Sequence, residues 1–563
     1  MSAGASTVYE AFAATAAARP QAPFLCVEPV TAASYGIPAE EVTYGEAARR
    51  VESLRCAYAA AGFTHGHRVG LMLANRPAFF YHWFALNALG VSVVPISTEM
   101  RMAEWTYLIG HSGMCLAVCL PERAADLRAA ARAAAAELGV LMAEAAGTAG
   151  SHPLQQFATI GESGEDPVPR AAPLAAAVSE AGEARECALL YTSGTTGRPK
   201  GCRLSNGYFL RCGRWYAEVG GLCEVRPGRE RVITPLPLSH MNAMACSTMM
   251  AVISGGCVVQ LDRFHPGSWW RSVRDSGATI AHYLGVMPAM LMAAPASPDD
   301  RRHAVRFGFG AGVDPAYHAG FEQRFGFPLL EAWAMTETGN AAVVIANHEP
   351  RHVGTKCFGR PEGFMEYRLV NEQGAEAGVD EPGELWVRGA GPDPRRHFFT
   401  EYLKDAEATA EAWAQGWFHT GDVVRKDAAG YLYFVDRKKN VIRRSGENIA
   451  AVEVESVLNR HPLVRASGVA ATPDAVRGDE VLACILTHAP VAPEDRPRVA
   501  AELVTHALSQ LAYYKAPGYV AFVEELPLTP SQKIQRAALK EMAAALPGQA
   551  HCIDLRAMKK RQG

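Results

Sequence analysis

No apolar run in this chain of 563 residues reaches the ~18 residues that a membrane-spanning helix needs. Charge of one sign is also lacking. Lys and Arg number 55 against 58 Asp and Glu, a formal net charge of -3, so there is no basic field for nucleic acid or an anionic membrane. The 13 cysteines form no CxxC pair, and Cys115 with Cys119 is the closest spacing. Zinc ligation therefore has little support, and a reduced, cytoplasmic thiol population is the simpler reading. Met1 to Ala18 lacks the basic region and Leu-rich core of a signal peptide. Its Val8, Phe12 and Ala16 spacing suits an amphipathic helix instead.

What is present is a soluble, globular composition, 49% apolar and 20% charged. The length suggests about two to four domains. Val69 to Leu73 is a short apolar run, Pro77 to Leu89 has helical spacing with Phe79, Trp83 and Leu86 on one face, and Val91 to Ile96 is β-branched. That order is a βαβ unit and implies a parallel sheet. Arg123 to Leu138 reads as a solvated surface helix. Thr148 to Pro173, rich in Gly, Pro and acidic residues, reads as a long loop or subdomain boundary. A second boundary falls near Asp436. Beyond it a helical stripe (Val454, Val457, Leu458), strands at Val481 to Leu486 and Val520 to Val523, and a helix near Val499 to Leu511 outline a small α+β domain. No internal repeat is found.

One segment carries chemistry on its face. The strand Ala188 to Tyr191 runs into Thr192-Ser193-Gly194-Thr195-Thr196-Gly197-Arg198-Pro199-Lys200-Gly201. Backbone N–H groups of a Gly-rich turn can form an anion-binding nest, and hydroxyls and Lys200 add donors for phosphate oxygens. It is not a P-loop, because Gly201 follows Lys200 where Ser or Thr is required. A lone Gly-rich loop would default to a polar surface loop, but this composition directly after a strand argues otherwise.

The loop resembles the phosphate-binding signature of the adenylate-forming superfamily, which includes acyl- and aryl-CoA synthetases, luciferases and peptide-synthetase adenylation domains. Further motifs follow in the family's order, from Tyr191 to Arg536. Pro237-Leu238-Ser239-His240 resembles the motif whose aromatic or His residue gates the acyl pocket, which puts His240 and Met241 at that pocket. Glu331-Ala332-Trp333-Ala334-Met335-Thr336-Glu337 resembles Tyr-Gly-x-Thr-Glu. The resemblance implies that Trp333 stacks on adenine, Thr336 meets the α-phosphate and Glu337 ligates Mg²⁺. Gly310 and Ala311 fall among its nucleotide-binding positions. Thr420-Gly421-Asp422 resembles the ribose-binding motif, with Asp422 accepting both hydroxyls and Arg437 also at the ribose. Lys439 stands at the hinge position. Ser445, Gly446 and Glu447 lie in a loop similar to one that lines the pantetheine tunnel of CoA ligases, and Lys533 occupies the place of the adenylation lysine.

The resemblance is greatest to carnitine/crotonobetaine-CoA ligase-like and short-to-medium-chain acyl-CoA ligases. It implies an α/β fold: a large multi-subdomain N-terminal domain with parallel-type sheets (1–436), a hinge (437–439), a small mobile α+β C-terminal domain (440–550) and a tail (551–563). It also implies an ATP-dependent acyl-CoA synthetase using ATP, Mg²⁺ and coenzyme A as co-substrate, acting on a small-molecule carboxylic acid, with a homodimer admitted. Phe309 and Ala334 stand where the family usually has Gly, and both add bulk to the acyl pocket; a short or compact acid is expected. Alternatively, Phe309 points into the core. Ala516 replaces a basic residue that some CoA ligases aim at CoA phosphates, which slightly weakens the case for CoA as acceptor or relocates its contacts; a stand-alone adenylation enzyme loading a carrier protein is the first rival. That rival, a luciferase-like oxidation and a non-catalytic binding relative are the competing readings. Lys533, Glu337 and Asp422 together argue against the last.

Overall fold

The computed structural model describes residues 4–143, 171, 182–192, 198–437, 441–527 and 534–560. The chain forms two compact units. One is drawn from Met1–Thr98, Leu108–Leu190 and Gly201–Val435, the other from Glu99–Tyr107, Tyr191–Lys200 and Asp436–Gly563. The fold is mixed α/β, with parallel sheets in the large N-terminal part and a smaller C-terminal domain.

Among the described residues, three sheets build the larger unit. In the first, strands Leu329–Trp333, Phe307–Ala311, Ile280–Leu284, Arg231–Thr234, Cys257–Gln260 and Pro23–Val27 run parallel, in that order. Antiparallel edge strands Val344–Ile345 and Glu40–Thr43 close its two sides. The second sheet contains the βαβ unit expected from sequence: Arg68–Met72, helix Pro77–Ala88, then Ser92–Pro95 in parallel register. Its helix differs from the one-faced helix expected, since every residue from Phe79 to Asn87 is buried. A helix apolar all round belongs inside a core, and the aromatic rings of Phe12, Phe24, Phe80 and Phe84 pack there. The third sheet is antiparallel and includes Gly383–Gly389 and Phe418–Lys426.

Helix Val8–Ala18 forms as its spacing predicts, with Thr7 capping Glu10 N–H and Val8, Ala11, Phe12, Thr15 and Ala16 buried. The Ala/Arg stretch is a shorter helix, Ala124–Ala133, and it is not wholly solvated: Ala124, Leu127, Ala130 and Ala131 are buried. The loop expected at Thr148 to Pro173 lies, apart from Ala171, outside the described residues. No helix among the described residues is long and apolar enough to cross a membrane.

In the smaller unit, strands Val441–Arg444, Gly478–Thr487 and Tyr519–Phe522 form a sheet with Val464–Asp474 and Glu447–Ala450. Helices Ala451–Leu458 and Arg496–Gln510 bury their apolar stripes in this unit's own core. The segment set apart as a tail is part of the sheet, because Cys552–Asp554 pairs antiparallel with Tyr519–Phe522. Three residues are too few to signal a strand in sequence.

The end of the chain is held by a buried ion cluster. Glu480 is fully buried and accepts from Arg444 Nε at 2.7 Å, from Val481 N–H at 2.8 Å and from Lys559 Nζ. Gly518 makes room for it, since a Cβ there would lie 2.5 Å from Glu480 Cδ. Arg444 already balances Glu480, so Lys559 is a surplus cation. Burial first, and then repulsion from Arg444, push its ammonium down to about 7. A folded pKa below the ordinary lysine value means that the unfolded chain binds more protons between the two. Docking of this segment should therefore strengthen as pH rises from about 7 toward ~10. Hydrogen-exchange protection of residues 552–559, corrected for intrinsic rates, is expected to increase from pH 7 to 9 and to lose that dependence in Lys559→Met. Protection falling over that range would contradict the assignment.

Candidate active site

Within the larger unit, strand Leu329–Trp333 places two functional side chains on one face, two residues apart. Trp333 is buried, and its indole N–H donates to Asp422 Oδ2 at 2.8 Å. Phe358 stacks near the indole, with centroids 6.3 Å apart. Asp422, on strand Phe418–Lys426, is seated by its own backbone, whose N–H meets Thr420 Oγ1 at 3.0 Å while that hydroxyl donates to Leu385 O at 2.6 Å. Residues that sequence motifs assign separately to adenine and ribose are thus one hydrogen-bonded pair.

Glu331, on the same strand, accepts the backbone N–H groups of Gly312 and Val313 at 2.9 and 2.8 Å. It holds the loop that follows strand Phe307–Ala311. Ala311 is half-buried there. Gly310 is required by packing: a Cβ would lie 2.3 Å from Tyr283 O.

After Trp333 comes half-buried Ala334, then a tight turn carrying half-buried Thr336 and buried Glu337. Gly339 closes the turn at φ +49, and a Cβ there would lie 2.4 Å from the Tyr208 ring. Tyr402, which sequence reasoning did not single out, donates its hydroxyl to Glu337 Oε1 at 2.9 Å, and Phe399 N–H meets Glu337 O at 2.8 Å. Burial, reinforced by the Glu337 charge, pushes the Tyr402 hydroxyl far above its ordinary value, so it stays a donor. Among the described residues no group of three or more His, Cys, Asp or Glu could hold a metal ion. A single buried carboxylate, Glu337, instead fits a magnesium ion that would be carried chiefly by phosphates and water.

His240 is exposed rather than a core histidine, and Met241 is half-buried. They lead into a π-helix, Asn242–Ser247. Phe309 is buried in a ring stack, 4.4 Å from Tyr216 and 5.0 Å from His282. It fills core space, as the alternative sequence reading allowed.

In the smaller unit, the stretch read as a CoA-tunnel loop is a β-hairpin, Val441–Arg444 with Glu447–Ala450. Its two turn residues, Ser445 and Gly446, have φ +51 and +89, the primed turn that suits strand twist. Ser445 N–H anchors to Arg477 O at 2.9 Å, and Glu447 is half-buried. Lys515 is buried against Glu104 at 2.6 Å and Glu453 at 2.8 Å, and Ala516 is fully buried, so neither offers a surface cation.

Thr192 ends one strand and Lys200 begins another. Ser193, Gly194, Thr195, Thr196 and Gly197 lie outside the described residues, but both flanks of that stretch meet Tyr107. The Tyr107 ring contacts Tyr191 edge-on at 6.5 Å and carries Arg198 at 5.2 Å, and its hydroxyl donates to Pro199 O at 2.9 Å. Lys533 is likewise outside; of the described residues near it, Gln535 N–H donates to Pro527 O at 2.8 Å and Arg536 donates to Glu455 at 2.8 Å. Lys439 and the side chain of Arg437 also lie outside the described set.

The chain matches the family model "AMP-binding enzyme" over residues 12–392 and "AMP-binding enzyme C-terminal domain" over 453–533. It is 32% identical to a sulfoacetate–CoA ligase of Cupriavidus necator, covering 88% of this chain and 92% of that protein. It is 29% identical to a crotonobetaine/carnitine–CoA ligase of Citrobacter koseri, covering 86% and 90%. A solved malonyl-CoA ligase with methylmalonyl-CoA and AMP bound is 26% identical, superposes with a TM-score of 0.69, and covers 90% of this chain and 96% of its own. The chain belongs to the AMP-binding enzymes, the adenylate-forming superfamily, as an AMP-forming acid–CoA ligase.

Proposed function

We propose that this ligase activates a short or compact carboxylic acid with ATP and transfers the acyl group from the adenylate to coenzyme A. The observation that carries compactness is half-buried Ala334, which stands directly after Trp333 where a Gly would leave more room; Phe309, buried on Tyr216 and His282, fills core space instead. The named relatives act on small acids, which supports the same reading.

In the first step an acid oxygen bonds to the α-phosphorus and the bond to pyrophosphate breaks. Acid and ATP are both anions, so the site must neutralise charge and align the attack. Trp333 meets the adenine, Asp422 and Arg437 the ribose, and Gly310 and Ala311 the nucleotide's edge. Thr192, the Ser193–Gly197 stretch, Lys200, Thr336 and Lys533 surround the phosphates. Glu337 would hold Mg²⁺, which would offset phosphate charge when bound. His240, Met241 and Ala334 bound the acid. In the second step the CoA thiolate bonds to the acyl carbon and the bond to AMP breaks. AMP leaves readily, so no dedicated base is assigned. Ser445, Gly446 and Glu447 line the pantetheine path once the small domain turns about Lys439.

Pyrophosphate release across acids of two to sixteen carbons, with and without CoA, tests this directly. Activity confined to compact acids and raised by CoA is expected. Equal activity on long-chain acids would overturn the size assignment, and indifference to CoA would point to another acceptor. Tyr402 orients the Glu337 carboxylate, and a hydrogen bond to a charged group is worth about 1.5–3 kcal/mol. Tyr402→Phe should therefore weaken MgATP binding at least ~10-fold by fluorescence titration, with ATP binding in EDTA affected far less. Equal weakening in both conditions would contradict the role.

A further inference from the structure

Directly after His240 and Met241, which the proposed function sets against the acid, Asn242 joins a hydrogen-bond chain that adenylation itself does not require. Tyr216 and His282 are fully buried, with the Tyr216 hydroxyl 3.0 Å from His282 Nε2. On the other side of the imidazole, His282 Nδ1 lies 2.6 Å from Asn242 Oδ1. Burial pushes His282 down to about 3, so the ring is neutral and carries one N–H. An amide oxygen only accepts, which assigns that proton to Nδ1 and leaves Nε2 to accept from Tyr216. Burial also drives the Tyr216 hydroxyl well above its ordinary value, so it stays protonated.

Aromatic rings stack along the chain. The rings of Tyr216, His282 and Phe309 lie within 26° to 28° of one another, at centroid distances of 4.4, 5.0 and 5.6 Å. The stacked imidazole faces Tyr216 with Nε2 and Asn242 with Nδ1. The Asn242 amide sets its oxygen on His282 Nδ1, which leaves its NH₂ on the other side. Asn242 is only half-buried, and among the described residues no protein group accepts from its Nδ2. It follows His240 and Met241 and begins the π-helix Asn242–Ser247. Such helices are rare and occur frequently at functional sites. A fixed, half-open amide with two available N–H donors suits a ligand oxygen.

We propose that Asn242 is a specificity-determining residue that donates from Nδ2 to an acceptor oxygen on the acid, remote from its reacting carboxylate. The substrate is then a compact acid bearing a second polar group, such as a sulfonate, carboxylate or hydroxyl. This rests on the compact-acid reading above and narrows it. A site built to hydrogen-bond a substrate group discriminates strongly against analogues that lack it.

The test measures kcat/KM for sulfoacetate, malonate and 3-hydroxypropionate against propionate and butyrate, by pyrophosphate release. The wild type should favour at least one polar acid by about 10-fold or more over the apolar acids. Asn242→Leu should lower that ratio at least ~10-fold, and Tyr216→Phe, which frees the imidazole tautomer but keeps the stack, should lower it by a smaller factor. Should Asn242→Leu fail to fold by circular dichroism, the ratio in Tyr216→Phe decides. A wild type that prefers butyrate, or a ratio unmoved by the variants, would overturn the assignment of Asn242 while leaving the compact-acid reading standing. Silence of the wild type on every acid would overturn both.

Discussion

The indole N–H of Trp333 aimed at a buried carboxylate, Asp422, joins two different sheets of the larger unit at the point where the nucleotide is proposed to bind. A carboxylate that is 1% exposed must be met by donors, or its burial would be costly. Trp333 supplies one, and the strand that presents it therefore cannot move independently of the strand that carries Asp422. Glu331, two residues earlier on the same face, fixes the Gly312–Val313 loop by the same device. The turn holding Thr336 and Glu337 follows directly, and Tyr402 fastens it from the far side. The site's geometry is thus set by buried polar pairs in which a backbone or aromatic donor orients each acid.

Much of this was legible in sequence, but in parts rather than in relation. The order of motifs from Tyr191 to Arg536 named the family, and alternation of strand and helix gave the parallel sheet around Arg68–Met72 and Ser92–Pro95. The pairing of Trp333 with Asp422 was not legible, because 89 residues separate them and each has a separate rationale within its own motif. Tyr402 and Tyr107 escaped for a different reason. Tyr402 acts through its hydroxyl and Tyr107 through both ring and hydroxyl, and nothing in the spacing around a tyrosine tells where either points. Bulk at Phe309 was noticed, yet its partners were not, since Tyr216 and His282 reach it only through folding. The Cys552–Asp554 strand was missed because its pairing, not its composition, makes it a strand.

Chemistry in the smaller unit rests on the same physics in a different arrangement. Its hairpin turn needs positive φ at two consecutive residues, and Ser445 accepts that strain with Gly446 beside it. Arg444, at the base of the hairpin, is tied through Glu480 to the chain's last helical turn. Residues that handle coenzyme A in the proposed cycle are therefore set on a rigid base, while the adenosine side is set by Trp333 and Asp422 in the other unit.

The most direct test of that adenosine assignment is titration calorimetry with a non-hydrolysable acyl-adenylate analogue and its 2′,3′-dideoxy counterpart, on the wild type and Asp422→Ala. If Asp422 accepts the ribose hydroxyls, removing either partner should cost at least ~10-fold in affinity, and removing both should cost little more than one. Independent, additive losses would contradict it.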